Sequence, residues 1–477
     1  MLENFSVHQI ISKIKKREIK IVEVLNFYLD RIKKFNPKLN AIISHIDETK
    51  ITEEAKLKDE NFNSDNDKDD IYGLPIAVKE LFDIKNEVTC YGYKELLKNI
   101  PKQDSLLVDN YRKNTILIGK TNLSEFAVGC HTTNRVYGAT SNVYDHSKSA
   151  GGSSGGAAAA VAANLIPFAD GTDMMGSCRN PAAFANIYGL RPTPGAIAED
   201  RFEIKNLKDF PLISTTGCFA RTPNDMEFLF NYIKGKNVKD KLSFDLEDIN
   251  IKKLSDLKIG WCIDLNEQYK YEDGIIDLCE NILKKLQSNN LNIEDLKTEI
   301  NSEELWYSWT ILRAKFLYEN FLLYNLKNLN ELPSQAYWEY EKGKSIKTND
   351  VLKAIEIRNK YMDKIQNLFK HYDFLALPSA QLFPFEKNLN NPEFINDNKI
   401  DTYHRYMEVY TLSSLLGLPT ISIPVGFNNK GLPMGMQIIA NVKEDNKLIN
   451  FAKSYEEIFN FSKFKPKLTQ ENYGILG

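Results

Sequence analysis

Two serines set in loops of small residues, with a lysine upstream, are the part of this chain equipped for covalent chemistry. Ser153 lies in S-A-G-G-S-S-G-G at 149–156, and Ser177 in G-T-D-M-M-G-S-C-R-N-P-A-A-F at 171–184, 24 residues further on. Between them runs an alanine-rich segment, 157–163, of the best helix-forming residue type. The glycines give the preceding turn access to dihedrals that other residues avoid, and a helix starting there directs free N–H groups toward it. Two hydroxyl-bearing loops gathered around one helix suit a nucleophile and a proton relay. A phosphate cradle is the rival reading, but neither G-x-x-x-x-G-K-[ST] nor G-x-G-x-x-G occurs there. The Gly119-Lys120-Thr121 tripeptide has Asn114 where a P-loop needs its first glycine. Taken alone, Gly-Gly-Ser-Ser-Gly-Gly would be satisfied by a tight turn joining a strand to a buried helix.

The lysine is Lys79, which closes the apolar run Pro75-Ile76-Ala77-Val78 after a Gly73-Leu74 turn. Such a run reads as a buried strand, and most lysines at strand ends are solvated. A lysine acting as a base must be partly desolvated so that its neutral amine is populated. The apolar approach to Lys79 is compatible with that role.

Seven stretches in order carry a family resemblance: G-L-P-I-A-V-K-E at 73–80, G-K-T-N-L-S-E-F-A at 119–127, the two serine loops, G-L-R-P at 189–192, G-C-F-A-R-T at 217–222 and G-L-P-M-G-M-Q at 431–437. On these the chain resembles the amidase signature family of serine hydrolases. The resemblance implies an α/β fold with a large mixed, mainly parallel central sheet covered by helices on both faces. It implies one amidase domain over 1–477, with a signature core at about 71–230, a variable aromatic-rich segment at about 231–370, and C-terminal strands and helix at 371–477.

Carried over motif by motif, the resemblance makes Lys79 the general base. Ser153, on a cis peptide bond in the family, becomes the relay, and Ser177 the nucleophile that forms an acyl-enzyme. A serine hydroxyl needs an adjacent base as it attacks, and the same relay run backwards protonates the departing amine. Backbone N–H groups of Met174, Met175, Gly176 and Ser177 would form the oxyanion hole, where one donor is worth about 2.7–4 kcal/mol of barrier. Asp173 and Arg179 are expected to pair and fix the loop. Ser154 and Thr172 either orient the trio or satisfy their own loops. Cys178 is expected to pack as a small apolar side chain. Three positions depart from the family pattern: Met175 replaces a usual glycine, Glu80 a usual aspartate and Leu81 a usual asparagine. A positive φ at Met175 would be strained.

Two branches of the family fit. One is a stand-alone amidase acting on a small-molecule amide; the other is the A-type glutaminase component of a tRNA-dependent amidotransferase. The A-type component usually has Ile-Arg-Gln-Pro where this chain has Cys178-Arg179-Asn180-Pro181. It also carries Arg-Tyr-Gly near Gly195-Ala196-Ile197-Ala198-Glu199. Both differences favour the stand-alone enzyme.

Composition excludes several other classes. With 61 basic and 64 acidic residues and a net charge of −3, an electrostatic nucleic-acid binder is not expected. The six cysteines form no C-x-x-C pair, and the six histidines have no zinc-site spacing. No basic-plus-apolar leader opens the sequence, and the longest apolar stretch, broken by Asn164 and Pro167, falls short of the ~20 residues a bilayer requires. The expectation is a cytoplasmic enzyme without metal, cofactor or membrane contact. Oligomeric state stays open, a homodimer being the form many relatives take.

The elements that must position the site read as follows. Residues 6–35 form two amphipathic helices parted near Arg17–Lys20, with Ser6 as N-cap and Val22, Val24, Leu25, Tyr28, Leu29 and Ile32 on the apolar face of the second. Residues 59–70 read as a polar loop. Buried strands are expected at Leu257–Trp261, Phe374–Pro378 and Thr420–Val425. The aromatic residues of 303–345 are read as core more than pocket, and His404 as structural.

Overall fold

The computed structural model describes residues 2–62, 71–202, 204, 210–247, 253–263, 265 and 268–470. Ser6 caps helix α1 (Val7–Lys15) in a reciprocal box: its Oγ accepts Gln9 N–H at 3.2 Å, and Gln9 Oε1 accepts Ser6 N–H at 2.9 Å. Helix α2 (Ile21–Leu39) buries Val24, Leu25, Tyr28, Leu29 and Ile32. Helix α3 (Glu48–Asn61) extends into the stretch read as a polar loop. The Asp59 carboxylate accepts Ile21 and Val22 N–H at 2.7 and 3.1 Å, so it closes the open N-terminus of α2. The remainder of that stretch, 63–70, lies outside the described residues.

Strands β1 (Ile42–His45), β2 (Pro75–Lys79) and β3 (Ile116–Thr121) form a small sheet in the order β1-β3-β2, with β3 antiparallel to β1 and parallel to β2. Every residue of β2 is buried, and Lys79 ends it opposite Thr121. Helix α4 (Leu106–Asn114) leads into β3. The Gly119-Lys120-Thr121 tripeptide lies within β3, and Lys120 Nζ is fixed by Val88 O, Thr89 Oγ1 and Glu80 Oε2.

The large sheet takes β4 (Phe168–Asp173), β5 (Tyr188–Arg191), β6 (Thr215–Ala220), β7 (Lys258–Trp261), β8 (Asn292–Asp295) and β9 (Phe374–Pro378). A ribbon of β10 (Phe394–Ile395) and β11 (Asn398–Lys399) intervenes before β12 (Thr420–Phe427) and β13 (Pro433–Ile439) complete it. Its order is β4-β6-β5-β12-β13-β9-β7-β8. The fold is α/β and the sheet mixed, as expected, but the balance of directions differs. Five neighbouring pairs are antiparallel, and only β7·β9 and β7·β8 are parallel. Strands covered on both faces carry continuous apolar runs whichever way they point, which removes the usual cue of alternation.

Helices α5 (Gly155–Ala162), α6 (Arg179–Ala185) and α7 (Pro223–Ile233) show the two-faced cover. On β6, a Cβ placed at Gly217 would stand 2.9 Å from Cys178 Sγ, just ahead of α6, while the next residue, Cys218, points the other way to Met226 of α7. Beyond lie α8 (Ile275–Ser288), α9 (Ser302–Leu323), α10 (Ser334–Ser345), α11 (Thr348–Leu368), α12 (Thr411–Leu416) and α13 (Asp445–Phe459). The aromatic segment is mostly core: Trp306, Trp309, Phe321 and Tyr340 are buried, whereas Tyr337 is exposed. No helix of the described residues is long and apolar enough to cross a membrane.

Candidate active site

Lys79 reaches its site from the end of β2, on the small sheet. Its Nζ lies 2.8 Å from each of three hydroxyl oxygens, Ser153 Oγ, Ser154 Oγ and Thr172 Oγ1. Ser153 and Ser154 belong to the turn that opens α5, and Thr172 to β4. The Gly152–Ser153 peptide is cis. Asn180 Oδ1 accepts Gly152 N–H at 3.1 Å and Thr132 Oγ1 accepts Gly155 N–H at 2.8 Å, fixing the turn from two sides. Lys79 is fully buried. Burial pulls its pKa down to about 8, against the opposing influence of Cys178, Asp170 and Asp173. A neutral amine has two N–H donors and one lone pair, so three hydroxyls meet its whole capacity: one donates to it and two accept.

The loop bearing Ser177 is organised by Asp173. Its Oδ1 accepts Gly176 N–H at 2.9 Å and Arg179 Nη2 at 2.8 Å; its Oδ2 accepts Cys178 N–H at 3.1 Å and Arg179 Nε at 3.0 Å. Arg191 stands behind at 3.6 Å. Burial opposes ionisation of Asp173, yet Arg179 and Arg191 outweigh it and hold the pKa at about 2. Arg179 extends the anchor to Ser413 and Ser414 of α12 and Gln437 of β13.

The four expected oxyanion donors reduce to three. Gly176 N–H is committed to Asp173, whereas the N–H groups of Met174, Met175 and Ser177 have no acceptor among the described residues. Positive φ falls on Gly176, at 84°, and not on Met175, so the methionine is unstrained. A Cβ on Gly176 would come within 2.6 Å of the Tyr410 ring. Trp309 Nε1 donates to Met175 Sδ at 3.1 Å, which anchors the buried methionine side chain in the core. Cys178 is buried in the core, and burial pushes its thiol far above the ordinary range.

Ser177 is 6% exposed, and its hydroxyl makes no hydrogen bond among the described residues. The structure thus joins Lys79 to Ser153, Ser154 and Thr172, and Asp173 to Arg179, while the Ser177 hydroxyl stands free. Three contributors went unseen in the sequence: Asn180, which holds the cis turn; Tyr410, which walls Gly176; and Asp170, whose Oδ2 accepts Lys79 N–H at 3.0 Å. The Asp at 170 breaks an apolar strand pattern, and that break was the available signal. His404 is buried, flanked by Trp306, Trp338 and Tyr403.

The chain is similar over nearly its whole length to proteins of one family. The family model for Amidase matches residues 23–449. The chain is 30% identical to the A-type component of the glutamyl-tRNA(Gln) amidotransferase of Coxiella burnetii, covering 95% of this chain and 97% of that one. It is likewise 30% identical to the corresponding component from Legionella pneumophila strain Paris, over 98% and 99% of the two chains. Among solved structures, a bacterial aryl acylamidase of the amidase signature enzymes superposes with a TM-score of 0.87 at 22% identity, over 98% of this chain and 99% of that one. The A-type amidotransferase component of Thermotoga maritima gives 0.74 at 23% identity, over 96% and 95%.

Proposed function

The chain belongs to the amidase family, and from that premise we propose that it hydrolyses a small carboxylic amide to acid and ammonia or amine through an acyl-enzyme on Ser177. The observation that carries this reading is the buried Lys79 amine set 2.8 Å from the Ser153 hydroxyl, with a pKa of about 8. Neutral Lys79 takes the Ser153 proton as Ser153 takes that of Ser177, and Ser177 Oγ attacks the amide carbonyl. Ser154 and Thr172 accept the two N–H bonds of the amine and keep its lone pair on Ser153. The N–H groups of Met174, Met175 and Ser177 receive the oxyanion. Collapse expels the amine, which takes its proton from the Lys79 ammonium by way of Ser153. Water then repeats the sequence on the acyl-enzyme.

The apolar clusters that meet beside Met174 favour an apolar substrate. Met174 packs against the cluster of Trp309 and Tyr410 and against that of Phe126, Val128 and Phe321. Arg313, on the helix that carries Trp309, is buried and already paired with Glu339. A glutaminase component working with a partner is the second reading, favoured by the near full-length relatives at 30% identity.

Release of ammonia and amine from a panel of amides that includes glutamine, with Ser177→Ala as blank, separates the two. Turnover of a non-glutamine amide that disappears in Ser177→Ala supports the stand-alone amidase. Glutamine as the sole substrate supports the amidotransferase component, and turnover surviving in Ser177→Ala refutes both.

A further inference from the structure

Asp170 takes no part in the relay, yet it touches the residue that does. It sits on β4 two positions before Thr172, so both side chains leave the same face of the strand. Thr172 meets the Lys79 amine, and Asp170 Oδ2 accepts the Lys79 backbone N–H at 3.0 Å. The large and small sheets share no ladder, so this bond ties the end of β2 to β4 at the base itself. Asp170 is fully buried, and its Oδ1 has no partner among the described residues. A carboxyl in that setting is costly to ionise and is rarely placed without a purpose.

The groups facing it are few. Lys79 comes from β2, Tyr111 from α4 and Cys218 from β6. Helix α5, packed on β2 and β4, offers only glycine, alanine and valine. On α7, Asp225 turns to Val7 N–H and Glu227 to Lys453. Glu80, next to the base, is engaged by Lys120 and Cys90.

We propose that Asp170 is a positioning residue for the base: it holds the end of β2 so that Lys79 Nζ stays among its three hydroxyls, and its ionisation sets how readily Lys79 releases a proton. This rests on the reading of Lys79 as general base. Burial raises Asp170 to about 7, just below the 8 or so of Lys79. Ionised Asp170 strengthens the base at alkaline pH. As pH falls Lys79 takes up its proton first; protonation of Asp170 follows and eases the proton off Lys79, so neutral amine is lost more gradually than beside a permanently ionised carboxylate.

The test uses a fluorophosphonate, which reports Ser177 reactivity whatever amide the enzyme prefers. Its labelling rate is followed from about pH 5 to about pH 10, where the acid limb reads loss of the neutral base. Asp170→Asn keeps an acceptor for Lys79 N–H and removes the charge. Its limb moves to lower pH by about one unit, the lower end of what a nearby opposite charge does. Asp170→Leu shifts the limb likewise and also lowers the plateau. In the wild-type chain the limb is shallower than a single ionisation. An unmoved limb in both variants, with only a lower plateau, reduces Asp170 to a structural bond and overturns the proposal. Should neither variant fold, a wild-type limb of single-ionisation slope overturns it, and a shallower one supports it. Failure on these counts leaves the acyl-enzyme reading intact, whereas no wild-type labelling at any pH refutes the Ser177–Lys79 chemistry and the proposal together.

Discussion

Replacing Asp173 by asparagine is the sharpest test of how the nucleophile loop is held. Two routes give the magnitude. The carboxyl is held at about 2, against 3.8 for a free aspartate, and at about 1.4 kcal/mol per pH unit this is about 2 kcal/mol in favour of the ionised fold. A depressed carboxyl pKa contributes fully above the unfolded value, so this term is complete above about pH 4 and fades as pH falls through about 2. Asparagine does more than cancel it. Arg179 and Arg191 are both fully buried, and they would be left without a counter-ion. Breaking a buried pair on one side costs about 3–5 kcal/mol, so Asp173→Asn should lose that much at neutral pH, more than acid takes from the wild type. Urea unfolding followed by tryptophan fluorescence reads the loss. A variant within about 0.5 kcal/mol of wild type would refute the reasoning, because a surface change does as little. Ser413, Ser414 and Gln437 would then be serving Arg179 unaided, and backbone carbonyls Arg191.

Two further outcomes follow from the site. The rate of amide hydrolysis should rise with pH through about 8, because only about one-tenth of Lys79 is neutral at pH 7; a midpoint below about pH 6.5 would assign the base to another group. Gly176→Ala forces a Cβ to within 2.6 Å of the Tyr410 ring at a φ of 84°. Turnover should fall about a hundredfold with helix content by circular dichroism unchanged, as the donors move off the oxyanion; an unimpaired variant would show that the loop accommodates the methyl.

Local features were legible in the sequence and pairings were not. The Ser6 cap, the helix after the double glycine and the strand ending in Lys79 are decided by neighbours within a few residues. The chain directions in the large sheet are not, since β13 finds β9 across more than fifty residues and its apolar run reads alike either way. At Met175 the sequence raised a concern about strain that the fold removes by placing the left-handed turn on the glycine beside it. The same turn sends Gly176 N–H to Asp173, which could not be foreseen from the loop's residue types alone. Asp170 escaped notice for a different reason. Its partner is a backbone N–H, so the break it makes in the apolar run shows in the sequence while the bond that explains it does not.

The base arrives on one sheet, while Thr172 and the Ser177 loop follow from the last strand of the other. Their few ångströms of separation therefore gauge how two layers sit against each other. An error in that docking too small to melt any helix is enough to part the amine from its hydroxyls. Gentle heating or dilute urea should silence this enzyme while its secondary structure is still whole, making activity the earliest sign that the layers have begun to slip.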